Sequence, residues 1–102
     1  MRATDYINEM KYPSRLEDHY KYARIEICAE DNTLDDITIR YLRALRKTGA
    51  WDFSLLHYDG MNIITFKYNG IIAFLYTLSQ LDDGCDHAVT SEWNVEPVKA
   101  AI

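Results

Sequence analysis

The sequence holds only two cysteines, Cys28 and Cys85, and they lie far apart. Its first residues, MRATDYINEM, carry no apolar h-region, so no signal peptide is expected. Without a secretion signal, two reduced thiols and a cytoplasmic setting are the expectation. Long hydrophobic runs are missing as well. The richest, Ile71 to Leu78, is too short to cross a bilayer, which excludes a membrane-spanning helix there and predicts no membrane partner. With two prolines and four glycines, extended disorder is not expected. An excess of positive charge is missing too. The formal net charge is −5, and nucleic-acid-binding domains are usually basic, so nucleic acid is disfavoured as a partner. No Gly-rich phosphate loop, HExxH, CxxC or nucleophile-elbow motif occurs, so no cofactor or metal is predicted.

What is present suits one compact domain over residues 1–102, with 48% hydrophobic residues. Burial of roughly two thirds of the unfolded surface is expected at this size. Tyr6, Ile7 and Met10 share a helical face between Thr4 and Pro13, and Pro13 ends that turn. Ser14-Arg15-Leu16-Glu17 is a capping-box pattern that opens a second short helix at Arg15. Ala23, Ile25, Ile27 and Ala29 then alternate with more polar residues, the pattern of a half-buried strand.

The clearest helix covers 34–48. Leu34, Ile37, Tyr41, Leu42, Leu45 and Thr48 recur at spacings of three and four. Thr33 is placed to cap it and Gly49 to end it. Asp59-Gly60 and Asn69-Gly70 then divide 51–78 into three apolar runs. Each pair is a strong signal for a type I′ hairpin turn. A three-stranded antiparallel meander is expected. The third run, rich in Ile, Phe and Tyr, reads as strand, with a buried helix to Leu81 as the alternative. Ala88 to Trp93 suggests a last short strand, and Pro97 to Ile102 a loosely held tail. The fold class is therefore α+β: a meander with one or two added strands, packed by the 34–48 helix and short N-terminal helices.

Two-residue turns set the register of the meander, which names its two faces. One face carries Trp51, Phe53, Leu55, His57, Ile64, Phe66, Tyr68 and Leu75 and is the expected core. The other carries Leu56, Met61, Ile63, Phe74 and Tyr76 as one apolar patch, edged by Asp52, Ser54 and Lys67. Aromatics and Met with a polar rim have the composition of an interaction surface. The alternative is that Tyr6, Ile7, Met10 and Leu16 cover that face. If 71–81 is helical, the patch shrinks to Leu56, Met61 and Ile63.

On the solvent side of the 34–48 helix, Ile39 falls among Arg40, Arg43 and Arg46. Arginine around an apolar side chain suits a partner contact, and a solvated basic face is the plainer reading. Gly84-Cys85-Asp86-His87 places a thiol two residues from an imidazole. Zinc there would need two more ligands from Cys28, His19 and His57, which lack motif spacing.

The function expected is a non-enzymatic protein-interaction domain. It would act as a homodimer or as a small acidic inhibitor or adaptor of a larger intracellular protein. Such a domain also fits a phage or mobile-element accessory protein that blocks a host system. The alternative is a small-molecule site between sheet and helices, lined by Tyr41, Trp51, His57 and Tyr68. An enzyme using Cys85 and His87 is third.

Overall fold

A computed structural model describes residues 1–10, 19–82 and 86–96. The elements in chain order are α1 (Ala3–Glu9), β1 (Lys21–Ala29), α2 (Asp31–Thr48), β2 (Trp51–Tyr58), β3 (Met61–Tyr68), α3 (Ile72–Leu81) and β4 (His87–Trp93). The strands form one antiparallel sheet in the order β2-β3-β1-β4. From β1 onward the chain runs β-α-β-β-α-β, the split β-α-β topology of ferredoxin-like folds. Folds of this kind host many activities, so the topology identifies none.

The α+β class and the packing of the main helix on the sheet hold. The α2 helix begins at Asp31, three residues before the expected start, and its N-cap is Glu30 rather than Thr33. Thr33 Oγ1 donates to the Glu30 carbonyl instead, at 3.0 Å. Gly49 ends the helix at φ 117°, and its N–H reaches back to the Leu45 and Arg46 carbonyls. Leu34, Ile37, Tyr41, Leu42 and Leu45 are buried against Ala23, Ile25 and Ile27 of β1 and Ile64 and Phe66 of β3.

The β2–β3 hairpin has the predicted register, with Tyr58 opposite Met61, Leu56 opposite Ile63 and Ser54 opposite Thr65. Asp59 and Gly60 both take positive φ, 53° and 76°, as a type I′ turn requires. The strand ladder then breaks between Trp51 and Ser54, with Asp52 at φ 57°. The extra residue puts Trp51 opposite Lys67, on the face away from the helices. Trp51 is thus not part of the Phe53/Phe66 core, although it is buried.

The third strand of the expected meander is a helix. Gly70 does not adopt positive φ, and no tight turn forms there. The edge of β3 that a third strand would need is taken by β1, which pairs with it from Lys21–Tyr68 to Cys28–Met61. Freed from the sheet, 72–81 follows the other period in its sequence. Ile71, Phe74, Leu78 and Leu81 are spaced three, four and three apart, and all four pack on the core.

Phe74 sits in a cluster of rings with Phe66 at 5.7 Å, Tyr68 at 6.0 Å and Trp93 at 6.1 Å between centroids. The inner face also recruits α1, whose Ile7 is buried in the same core, with Tyr6 and Met10 packed against it. Those three residues therefore lie on the helical side and do not cover the second face. Leu16 and the capping box at Ser14 fall outside the described residues, as do Cys85 and the tail from Pro97.

Candidate functional site

The sheet face away from the helices divides into two halves. Towards β4 it is polar: Arg24 lies 3.4 Å from Glu92, and Thr90 donates to Glu26 at 3.4 Å. Towards β2 it is apolar. Leu56, Met61 and Ile63 are neighbours there, as the hairpin register dictates. Ile63 is only 9% exposed and Leu56 and Met61 are half-buried, while Tyr58 at their end is 63% exposed. Phe74 does not join them, because helix formation turns it into the core. Tyr76 does not join them either; it is exposed on α3.

At the start of the β2–β3 ladder the same face holds a lysine among aromatic rings. Lys67 Nζ lies 4.4 Å from the ring centroid of Tyr20, 5.7 Å from that of Tyr22, and 2.9 Å from an Asp52 carboxylate oxygen. Tyr20 in turn meets Trp51 edge-on at 6.4 Å. The hydrogen bond that Lys67 donates to Asp52 raises the Lys67 pKa, against the lowering effect of burial. The bulge between Trp51 and Ser54 brings Trp51 opposite Lys67, beside this ion pair.

The strongest surface feature is α3 itself. Its inner side is Phe74 and Leu78. Its outer side carries Ile72 at 81%, Tyr76 at 67% and Leu75 at 46% exposure. The helix has no charged residue over Ile72–Leu81. Its polar residues are the uncharged Thr77, Ser79 and Gln80, so it is unusually apolar for a helix at the surface. Ile72 and Leu75 escape a strand-based reading, which alternates faces. At helical spacing 72, 75, 76 and 79 fall on one side, so the signal was present in the period.

On α2 the structure brings together most of the predicted cationic group. Ile39, Arg40 and Arg43 line one groove with Lys47, and Arg46 is not part of it. Ile39 is 7% exposed, so it forms the floor of the groove rather than a protruding contact. The helix is buried on two sides, which a single apolar stripe does not anticipate.

The four residues of the expected small-molecule pocket do not meet. Tyr41 Oη bonds His87, Tyr68 packs on Trp93 with 5.0 Å between centroids, and Trp51 lies on the other face. His57 lines a separate cleft of about 450 Å³ with Arg2, Asp31, Asp35 and Asn62. There a chain of hydrogen bonds holds the imidazole. Its Nδ1 lies 2.8 Å from Asn62 Oδ1, Asn62 Nδ2 donates to Thr38 Oγ1 at 2.9 Å, and Thr38 donates to the Leu34 carbonyl at 2.7 Å. Asn62 and Thr38 are buried, and the chain satisfies both.

His87 is held at both ring nitrogens. Nδ1 donates to an Asp86 carboxylate oxygen at 2.7 Å, and Nε2 is hydrogen-bonded to Tyr41 Oη at 2.6 Å. The His87 side chain is fully enclosed. The hydrogen bond to His87 holds the Asp86 carboxyl below its ordinary range. Neither nitrogen is left for a thiol. Among the described residues no three His, Cys, Asp or Glu side chains converge as a metal site, and Cys28 is exposed with its thiol free. No described helix is long and apolar enough to cross a membrane. No protein-family profile, curated protein or solved structure matches the chain.

Proposed function

We propose that this chain is a non-enzymatic protein-interaction domain and that α3 is its contact element. One observation carries the reading: Ile72, Leu75 and Tyr76 stand exposed together on an uncharged ten-residue helix. Covering a large apolar side chain is worth roughly 1.5–3 kcal/mol, and three adjacent ones form an anchor of the size that hot spots have. Three side chains are fewer than the roughly 20–30 residues a stable interface uses on each side. The contact is therefore transient, or it extends onto neighbouring surface.

Two occupants fit. A second copy would pack α3 against α3 about a two-fold axis, each strip facing itself. A larger protein would take the helix in an apolar groove, with this domain as adaptor or inhibitor. Sedimentation velocity on the wild type and on an Ile72→Glu/Tyr76→Glu variant separates these. A dimer lost in the variant supports self-association. A monomer that needs Ile72 and Tyr76 to bind its partner supports the adaptor reading. A variant that folds, sediments and binds as the wild type does would sink both.

A further inference from the structure

We propose that the groove along the outer side of α2 is a second docking site, and that its occupant is an acidic peptide segment with an apolar anchor. The site lies on a different helix from the α3 strip and does not depend on that strip binding anything.

The groove encloses about 600 Å³. Ile39 and Ala44 form its floor, and Met1 and Leu81 stand at its apolar edges. Its charged lining is Arg40, Arg43 and Lys47 against one carboxylate, Asp36. That is three positive charges less one negative, or +2, on a chain whose formal net charge is −5. The rest of the molecule therefore carries −7. The basic character is local to this groove, and charge of the opposite sign is what complements it.

The three cations follow the helix. They are spaced three and four apart, so they form one row along one side of α2. Arg40 to Lys47 spans about 10.5 Å of helix rise. Carboxylates one and two turns apart on a partner helix match that row, with an apolar side chain between them over the floor. Two of the cations have only weak claims on them. Arg40 is 4.0 Å from an Asp86 carboxylate oxygen, at the limit of an ion pair, and its side chain is 48% exposed. Lys47 is exposed, with no carboxylate in salt-bridge range among the described residues. Arg43 is held in place instead, its guanidinium 5.5 Å from the centre of the Tyr6 ring. A cation stacked on a ring gives up less freedom when it binds.

A polyphosphate would answer the cations but not the apolar floor. A neutral apolar peptide would answer the floor but not the cations. The combination favours protein carboxylates around an apolar side chain.

Fluorescence anisotropy tests this with a short synthetic peptide bearing glutamates and leucines at helical spacing, labelled at one end. The expected result is saturable binding that weakens tenfold or more with added salt and in Lys47→Glu. It should also weaken with glutamine in place of glutamate or serine in place of leucine. Arg46→Glu alters the charge of the same helix outside the groove and should change affinity less than twofold. Equal weakening by Arg46→Glu and Lys47→Glu would mean general surface attraction and would overturn the proposal. So would indifference to the glutamine or serine peptides, or tighter binding of a single-stranded oligonucleotide. Circular dichroism on each variant confirms the fold. If Lys47→Glu fails to fold, Lys47→Gln takes its place, with a threefold or greater loss expected.

Discussion

Tyr41 of α2 and His87 of β4 are joined by a 2.6 Å hydrogen bond between Oη and Nε2, and both side chains are wholly enclosed. The bond ties the main helix to the first residue of the edge strand. It also explains why a Tyr sits in an otherwise aliphatic stripe: a buried imidazole needs a partner at each nitrogen. Tyr41→Phe removes the hydroxyl and keeps the ring. The expected loss is about 1–3 kcal/mol, because Nε2 is left buried and unsatisfied. Urea denaturation followed by circular dichroism measures it.

Phe74 and Tyr76, two residues apart, are predicted to behave oppositely. Phe74→Ala empties the centre of the Phe66/Tyr68/Trp93 cluster and should cost about 3–5 kcal/mol. Tyr76→Asp should change stability by no more than about 0.5 kcal/mol, because the side chain is 67% exposed. A strand over this segment would put both on one face and give both the same effect. Thermal melts of the two variants decide between them.

The acid limb of the stability curve should depend on Asp86. The hydrogen bond with His87 depresses the Asp86 pKa in the folded state below 3.8. The stability it contributes is therefore present above that pH and is lost as pH falls through the depressed value. Asp86→Asn should be less stable than wild type at neutral pH, with the difference shrinking below about pH 4. Denaturation midpoints across pH 2 to 7 would show the two curves converging. Parallel curves would contradict this.

Lys67 has the opposite sign. Its pKa is raised above 10.5 by the Asp52 hydrogen bond, so the pair contributes below that pH and fades as pH climbs past it. Asp52 is 53% exposed, which keeps the expected contribution to roughly 0–1 kcal/mol. Asp52→Asn should lower the Lys67 pKa, and NMR titration of the Lys67 side chain reads it directly.

Much of this fold was legible because it is local. The α2 stripe, the alternation of β1 and the Asp59-Gly60 turn each declare themselves within a few residues. What failed was non-local. Whether 71–78 joins the sheet is decided by β1, which pairs with the edge of β3 across separations of 33 residues (Cys28–Met61) to 47 residues (Lys21–Tyr68). Before that competition is known, Asn69-Gly70 and a run of Ile, Phe and Tyr point to strand.

The face of Trp51 depended on a bulge at Asp52, whose positive φ has no mark in the sequence. The candidate surface shifted with these two errors. Leu56, Met61 and Ile63 stayed together because their hairpin was right. Phe74 left for the core, and Tyr76 moved to an exposed strip whose other members, Ile72 and Leu75, only a helical period would have found.

On the proposed function, Ile72, Leu75 and Tyr76 meet another protein surface. The most direct test is photo-crosslinking in the source cells. A photoreactive amino acid is placed at position 72 and, as a control, at the exposed Thr90 on the opposite sheet face. One discrete crosslinked species is expected from position 72, either a dimer of the chain or a single partner, and none from position 90. Uncrosslinked monomer at both positions, or the same diffuse products from both, would contradict it.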